Sequence, residues 1–262
     1  MDSGLSGRVV IVTGAARGLG KEAAGAFARE GSLVAVVDAD ESGAGETADG
    51  LSGTAEALGI GADVSDEAQV EEVVRKVLHK WKRIDVLLHC AGIARGPGQM
   101  GTEGWIPMER VSLADWTRVL TVNLTGTFLM DRAVAPSMIE KRWGRIINVA
   151  SISASVANRG VLGLGPYSAS KGGVVSLTKV LAAEWAPYGI TVNSISPGYM
   201  ATEMGTRSQR FPGFKELQLS LSPQGRLGEP REFAHSAVFL ASEGASHITG
   251  HDLKIDGGYT VW

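Results

Sequence analysis

Residues 8–13, RVVIVT, constrain this chain more than any other stretch, because four consecutive residues are β-branched and apolar. A strand with no polar face must be covered on both sides, which is the situation of a parallel strand between two layers of helices. The run opens into Gly14-Ala15-Ala16-Arg17-Gly18-Leu19-Gly20, and then Ala23, Ala24, Phe27 and Ala28 recur at helical spacing as far as Gly31. A second apolar run, Leu33 to Val37, ends in Asp38. The glycines are spaced G-x-x-x-G-x-G, not G-x-G-x-x-G. The physical logic of a phosphate-binding turn still applies. Glycines permit the tight turn and a close backbone approach, and the positive end of the helix attracts a pyrophosphate. Asp38 lies 18 residues beyond Gly20, where a carboxylate can accept hydrogen bonds from both hydroxyls of an adenosine ribose. Together these features predict a dinucleotide site.

Strands and helices continue to alternate. Residues 41–53 read as a short helix and loop, residues 58–64 as a weak strand carrying Asp63, and residues 66–81 as a helix with Val70, Val73, Val74 and Val77 on one face. Residues 84–89 form a further buried strand, followed by Cys90-Ala91-Gly92. A Gly- and Pro-rich loop occupies 96–108, and a long helical pattern containing Asn123 spans 115–138. Strands at 145–149, 190–195 and 252–255 then alternate with helices at 166–186 and 229–241, while 203–224 reads as irregular. This order predicts an α/β fold, a doubly wound parallel sheet of about seven strands with helices on both faces. Residues 1–262 read as a single domain without repeats or linkers.

Composition excludes several classes. Lys and Arg number 25 against 28 Asp and Glu, the net charge is −3 and the sequence pI is about 6.0. There is no basic stripe for nucleic acid; Lys80, Lys82 and Arg83 cluster around Trp81 where the helix dipole favours cations at a helix end. Cys90 is the sole cysteine, so no internal disulfide or Cys-based zinc site forms. His89, His235, His247 and His251 have no metal-ligand spacing, and no metal is expected. No apolar run reaches the roughly 18 residues of a membrane span, and residues 1–7 carry no signal-peptide core. The expectation is a cytoplasmic protein without membrane or nucleic-acid partners.

Tyr167 and Lys171, within Tyr167-Ser168-Ala169-Ser170-Lys171, project from one helix face a turn apart. A phenol has an ordinary pKa of about 10, and a neighbouring ammonium favours its ionised form. The pair therefore reads as a proton donor and acceptor for an alcohol–ketone couple.

In this order, Thr13-Gly14-x-x-x-Gly18-x-Gly20, Asp63, Ala91-Gly92, Asn123, Ser151, Tyr167-x-x-x-Lys171 and Pro197-Gly198 resemble the classical short-chain dehydrogenases/reductases across nearly the whole chain, as does the stretch from Gly225 to Gly258. The resemblance implies a Rossmann-like fold and an NAD(P)-dependent alcohol dehydrogenase or ketoreductase. Its implied catalytic residues are Asn123, Ser151, Tyr167 and Lys171. Tyr167 would be the general acid or base, and Lys171 would hold the nicotinamide ribose and lower the Tyr167 pKa. Ser151 would bond the reacting oxygen, and Asn123 would support a water-linked relay. Implied cofactor contacts are Gly14, Arg17, Gly18, Leu19 and Gly20 at the turn, Asp38, Asp63 and Val64 along the adenosine side, Ala91 and Gly92, and Pro197, Gly198, Met200 and Thr202 at the carboxamide. Asn123, Tyr167 and Lys171 complete the set. A homotetramer is the expected assembly, and the apolar end, Tyr259 to Trp262, would suit burial in a partner subunit.

Three departures matter. Cys90 stands where the family usually has Asn, which removes an amide that would bridge neighbouring strands. The loop between Gly92 and Trp116 and the segment between Ser151 and Tyr167 are each a few residues longer than is common. Residues 203–222 read as a substrate lid, with Phe211, Phe214, Leu217, Leu219 and Leu221 as apolar contacts, and Trp105, Tyr199, Met200 and Met204 as further pocket walls. The expected substrate is an apolar or weakly polar ketone or secondary alcohol, for which the resemblance suggests 3-oxoacyl, cyclic-ketone, hydroxysteroid or small-diol types. The alternative readings are a non-catalytic NAD(H)-binding sensor or scaffold, an NADP-dependent ketoreductase if Arg17 outweighs Asp38, or an NAD-dependent epimerase or dehydratase on the same fold.

Cofactor choice rests on two opposed charges. The Asp38 carboxylate accepts from a ribose 2′-hydroxyl and repels a 2′-phosphate, whereas Arg17 could pair with that phosphate and favour NADP. The carboxylate would face the phosphate directly and is the stronger effect, so NAD is expected. NADH should support a much higher kcat/KM than NADPH in a steady-state assay; equal or better use of NADPH would overturn this.

Overall fold

The computed structural model describes residues 3–94, 100–101, 104–157, 164–202 and 213–261. Its centre is β1 (Val9–Thr13), buried along its whole length. Val10 and Val12 face one core cluster with Phe27 and Phe233, while Val9 and Ile11 face a second cluster with Val73, Met130 and Met138. One strand thus serves two cores, as its uninterrupted apolar sequence demands.

Six further strands join it in one parallel sheet: β2 (Leu33–Asp38), β3 (Ala57–Gly61), β4 (Val86–His89), β5 (Gly144–Val149), β6 (Ile190–Pro197) and β7 (Asp252–Ile255). Their order is β3-β2-β1-β4-β5-β6-β7. Helices α1 (Gly18–Arg29), α2 (Glu41–Gly50) and α8 (Pro230–Ala241) cover the first face, contributing Ala23, Ala44 and Ala237 to its core. Helices α3 (Glu67–Trp81), α5 (Gly126–Lys141) and α6 (Gly165–Trp185) cover the second. The chain steps outward from β1 through β2 to β3, then returns to lay β4 on the other side of β1. Strand order reverses there, the point at which open α/β sheets characteristically bind ligands beyond the carboxyl ends of their strands. Met100–Gly101 and Gly104–Trp105 pair as a short antiparallel ribbon outside this sheet.

Local sequence accounts for most element ends. Asp66 caps α3 by accepting from the N–H groups of Ala68 and Gln69, an ordinary N-cap arrangement. That helix stops at Lys82, whose φ of 61° is left-handed, and Lys80 pairs with Glu56 at 2.7 Å. The basic cluster around Trp81 is thus a helix end, as read from the sequence.

Two expectations need correction. The helical pattern over 115–138 is interrupted: α4 (Leu113–Leu120) leads into a π-helical turn at Thr121–Thr125 before α5 begins. Within 203–224, read as irregular, Phe214–Leu221 is a helix, α7. It starts after Gly213 at φ +76° and buries Phe214 and Gln218, one turn apart. A helix whose buried stripe is two residues, one of them polar, leaves little hydrophobic periodicity to detect.

The second core contains a charged residue type. Asp131 of α5 is fully buried, and its Oδ2 accepts from Asn148 Nδ2 at 2.8 Å. Burial pushes its carboxyl up to about 8 from an ordinary 3.8, and the bond from Asn148 opposes this. The unfolded chain loses that proton near the ordinary value, while the folded chain keeps it to about 8. Stability therefore falls as pH rises through that window. Asp131→Asn should level this part of the dependence, raising stability at pH 8 more than at pH 5 in urea denaturation. An equal change at both pH values would overturn the assignment.

Candidate active site

The glycine turn after β1 is built by close approach. Gly14 has φ +64°, and a Cβ there would lie 2.7 Å from the Ala91 Cα. A Cβ on Gly20 would lie 2.3 Å from the Gly14 carbonyl oxygen, so the first turn of α1 packs directly on the loop. Gly18, at φ +59°, instead faces open space. No side chain caps α1, which leaves its first N–H groups for an anion. These features fit a dinucleotide pyrophosphate over Gly14, Arg17, Gly18, Leu19 and Gly20.

Asp38, the last residue of β2, stands beside this turn. Its Oδ2 accepts from Ala16 N and its Oδ1 from Asp40 N, both at 3.0 Å. Arg17, the next residue after Ala16, is exposed, so the two residues that oppose each other over cofactor choice share one rim. Beyond β3, Asp63 Oδ1 accepts from Ser65 N at 2.9 Å and Ser65 Oγ at 2.6 Å. Val64 is buried against Gly126, where a Cβ would come within 2.9 Å of it.

Past β4, the chain is held by two side chains. Thr13 Oγ1 accepts from Cys90 N and Ala91 N, each at 3.1 Å. Asn123, in the π-helical turn, clamps Ile93: its Oδ1 accepts from Ile93 N and its Nδ2 donates to Ile93 O, each at 2.8 Å. Nδ2 also donates to Ser170 Oγ at 3.0 Å, and Ser170 Oγ donates to Tyr167 O at 2.7 Å. The Asn123 amide is thus committed to the backbone around Gly92 and to α6. A Cβ on Gly92 would lie 3.2 Å from Asn123 Oδ1 and 3.4 Å from Lys171 Nζ, which sets all three residues against one another.

Tyr167 and Lys171 lie in the first turns of α6, facing the end of β5. The Ser151 hydroxyl hydrogen-bonds the Tyr167 phenol, and Ser151 Oγ also accepts from Ser153 N at 3.2 Å. Ser151, rather than Ser153 or Ser155, is the serine brought to the phenol. Lys171 Nζ donates to Val149 O at 2.6 Å and stands 5.9 Å from the centre of the Tyr167 ring. Burial lowers the Lys171 ammonium to about 8.

One expectation does not survive this geometry. Burial raises the Tyr167 pKa; the Ser151 bond opposes that, and Lys171 is not what sets it. The ammonium points to a backbone carbonyl instead of the phenol oxygen.

Past the carboxyl end of β6, Gly198 N donates to Ile255 O at 2.9 Å, and a Cβ on Gly198 would lie 2.8 Å from the Asp256 Cα. Met200 is buried and Thr202 N donates to Met200 O at 2.8 Å. All the anticipated site residues from Gly14 to Thr202 therefore line the carboxyl edge of one sheet. The longer segments expected to shape the pocket lie partly outside the described residues, at 95–99, 102–103, 158–163 and 203–212, the last with Met204 and Phe211. Trp105 is described by its backbone alone. Among the described residues, no three His, Cys, Asp or Glu side chains group as a metal site.

Sequence reasoning missed the role of Thr13 and His89. The hydroxyl of Thr13, 3.0 Å from His89 Nδ1, ties β1 to the end of β4, where Cys90 cannot. Cys90 is half-buried on the first core, and desolvation pushes its thiol up to about 12. It is a packed, unreactive side chain.

A family model described as enoyl-(acyl carrier protein) reductase matches residues 14–260. The chain is 44% identical to a D-threitol dehydrogenase of Mycolicibacterium smegmatis over 261 residues, covering 99% of this chain and 95% of that protein. It is 39% identical to a galactitol 2-dehydrogenase (L-tagatose-forming) of Cereibacter sphaeroides, covering 98% and 97%. Among solved structures, a short-chain type dehydrogenase/reductase from Mycobacterium marinum superposes with a TM-score of 0.89 at 36% identity, covering 98% of this chain and 96% of that one.

Proposed function

The chain belongs to the short-chain dehydrogenases/reductases, an NAD(P)-dependent oxidoreductase family, and from that premise we propose that it moves a hydride between NAD(H) and a secondary alcohol or its ketone. The observation that carries the reading is the Ser151–Tyr167 hydrogen bond, one helical turn from Lys171 at the carboxyl edge of the sheet. The nicotinamide, when bound, supplies or receives the hydride.

The chain's own groups handle the proton and the charge. In alcohol oxidation Tyr167 takes the hydroxyl proton as general base; in ketone reduction it returns one as general acid. Ser151 donates to the oxygen on which charge develops. Lys171, anchored on Val149 O, would bond the nicotinamide ribose, and Asn123 holds Ile93 and Ser170 so that Gly92 and α6 keep their spacing. Gly14 to Gly20 would hold the pyrophosphate, Asp38 the adenosine ribose, Asp63 and Val64 the adenine, and the backbone from Pro197 to Met200 with Thr202 the carboxamide. NAD is the proposed cofactor; the exposed Arg17 beside Asp38 is the one feature that favours NADP.

Among the anticipated substrates we favour the small-diol class, in the form of a polyol. Relatives whose names specify threitol and galactitol support it, whereas the family model's description points to acyl carriers. Oxidation of a polyol panel with NAD, and reduction of ketones including a 3-oxoacyl thioester with NADH, would separate the two. In either direction Tyr167→Phe should lower kcat by about 100-fold or more. Because burial raises the Tyr167 pKa, oxidation should rise toward alkaline pH in the parent enzyme. Full activity of the Phe variant would overturn the reading.

A homotetramer accompanies this proposal. Phe128 on α5, Val180 on α6 and Phe239 on α8 are exposed, as is Val261 near the end of the chain, and such apolar groups suit subunit contacts. Light scattering should give four times the chain mass; a monomer would overturn it.

A further inference from the structure

Four side chains line up across the sheet beneath the site. Thr13, His89, Asn148 and Ser194 occupy one register on β1, β4, β5 and β6, and all are buried. Asn148 Nδ2 donates to Asp131 Oδ2 at 2.8 Å and to Thr178 Oγ1 at 3.3 Å, so this face of the row looks onto α5 and α6.

Counting hydrogens assigns the His89 tautomer. Thr13 Oγ1 uses both lone pairs on Cys90 N and Ala91 N. Its single hydrogen is left for His89 Nδ1, 3.0 Å away, which must accept it. Burial and the nearby Lys171 keep the ring neutral, with its pKa lowered to about 3. The ring proton is therefore on Nε2, a buried donor with no protein partner.

Two further atoms share that condition: Asp131 Oδ1 and Asn148 Oδ1 are both buried without a partner. Asp131, neutral below about pH 8, carries its proton on Oδ1, because Oδ2 is the oxygen that accepts from Asn148. The Asn148 Oδ1 is an acceptor. His89 and Asn148 are register partners on adjacent strands, and Asn148 bonds Asp131. Two donors and one acceptor are the complement of a water molecule, which accepts twice and donates once, and buried waters typically make about three such bonds.

We propose that one internal water bridges His89 Nε2, Asp131 Oδ1 and Asn148 Oδ1, and that this hydrated cluster ties the ends of β1, β4 and β5 to α5. Each tied strand leads into the site. Thr13 precedes Gly14, His89 precedes Cys90-Ala91-Gly92, and Asn148 precedes Val149, whose carbonyl receives Lys171. The titratable groups facing the cluster are Lys171 from α6 and, within the cluster itself, Asp131 from α5.

The test is an atomic-resolution crystal structure of the full chain together with 15N spectra of histidine-labelled protein. The expected result is a water within hydrogen-bond distance of all three atoms. His89 should show a protonated Nε2 and a bare Nδ1, unchanged across the range in which a free imidazole titrates. Asp131→Asn, which keeps a donor at this place, should retain the water and the His89 signal; Asp131→Leu should lose the water and move the Nε2 resonance. A dry contact among the three side chains, a His89 protonated on Nδ1, or an imidazolium paired directly with an ionised Asp131 would each overturn the proposal. The wild type alone decides the matter if the Leu variant fails to fold.

Discussion

Burial of β1 on both faces is the constraint from which the site follows. A strand that must be covered twice takes helices above and below, and its neighbours must be parallel to accommodate them. Once β2 and β4 lie on opposite sides of it, the crossover helices part beside β1 and leave the strand ends free of cover. The glycine turn, Asp38, Gly92, Ser151 and Gly198 then share one edge, although they are far apart in the chain. Their convergence owes nothing to the chemistry they carry.

The site concentrates polar groups where the fold excludes water. Lys171 and Tyr167 both meet a desolvation effect that opposes their charged forms, so the ammonium falls to about 8 and the phenol rises. The observed contacts offset this locally, through Val149 O for Lys171 and Ser151 for Tyr167. A lysine so placed interacts through a fixed hydrogen bond more than as a free point charge. The same economy of partners holds below it, where Thr13 serves three groups with one hydroxyl.

Much of this was legible beforehand. The strand at 8–13, the glycine turn and the acid at 38 follow from hydrophobic continuity and backbone freedom, which are local properties. Helix α3 was legible because its stripe of valines and its Asp66 cap agree. The π-helical turn at 121–125 was not, because it keeps a helical pattern and differs only in hydrogen-bond register. Helix α7 was obscured because its buried stripe includes Gln218. Cys90 shows the limit well. Its identity announced a missing amide, but nothing in the sequence said that Thr13 and His89 would supply the tie.

The sequence by itself determined the fold class and the inventory of groups, since hydrophobic periodicity, glycine placement and helical spacing act within a few residues of each other. Only the tertiary structure decided that Asn123 spends its amide on Ile93 and that Lys171 turns to Val149. It alone brought Asp131 and His89 into one buried layer. Those outcomes depend on packing between segments tens of residues apart and on the removal of water from between them, and neither leaves a signature in local sequence.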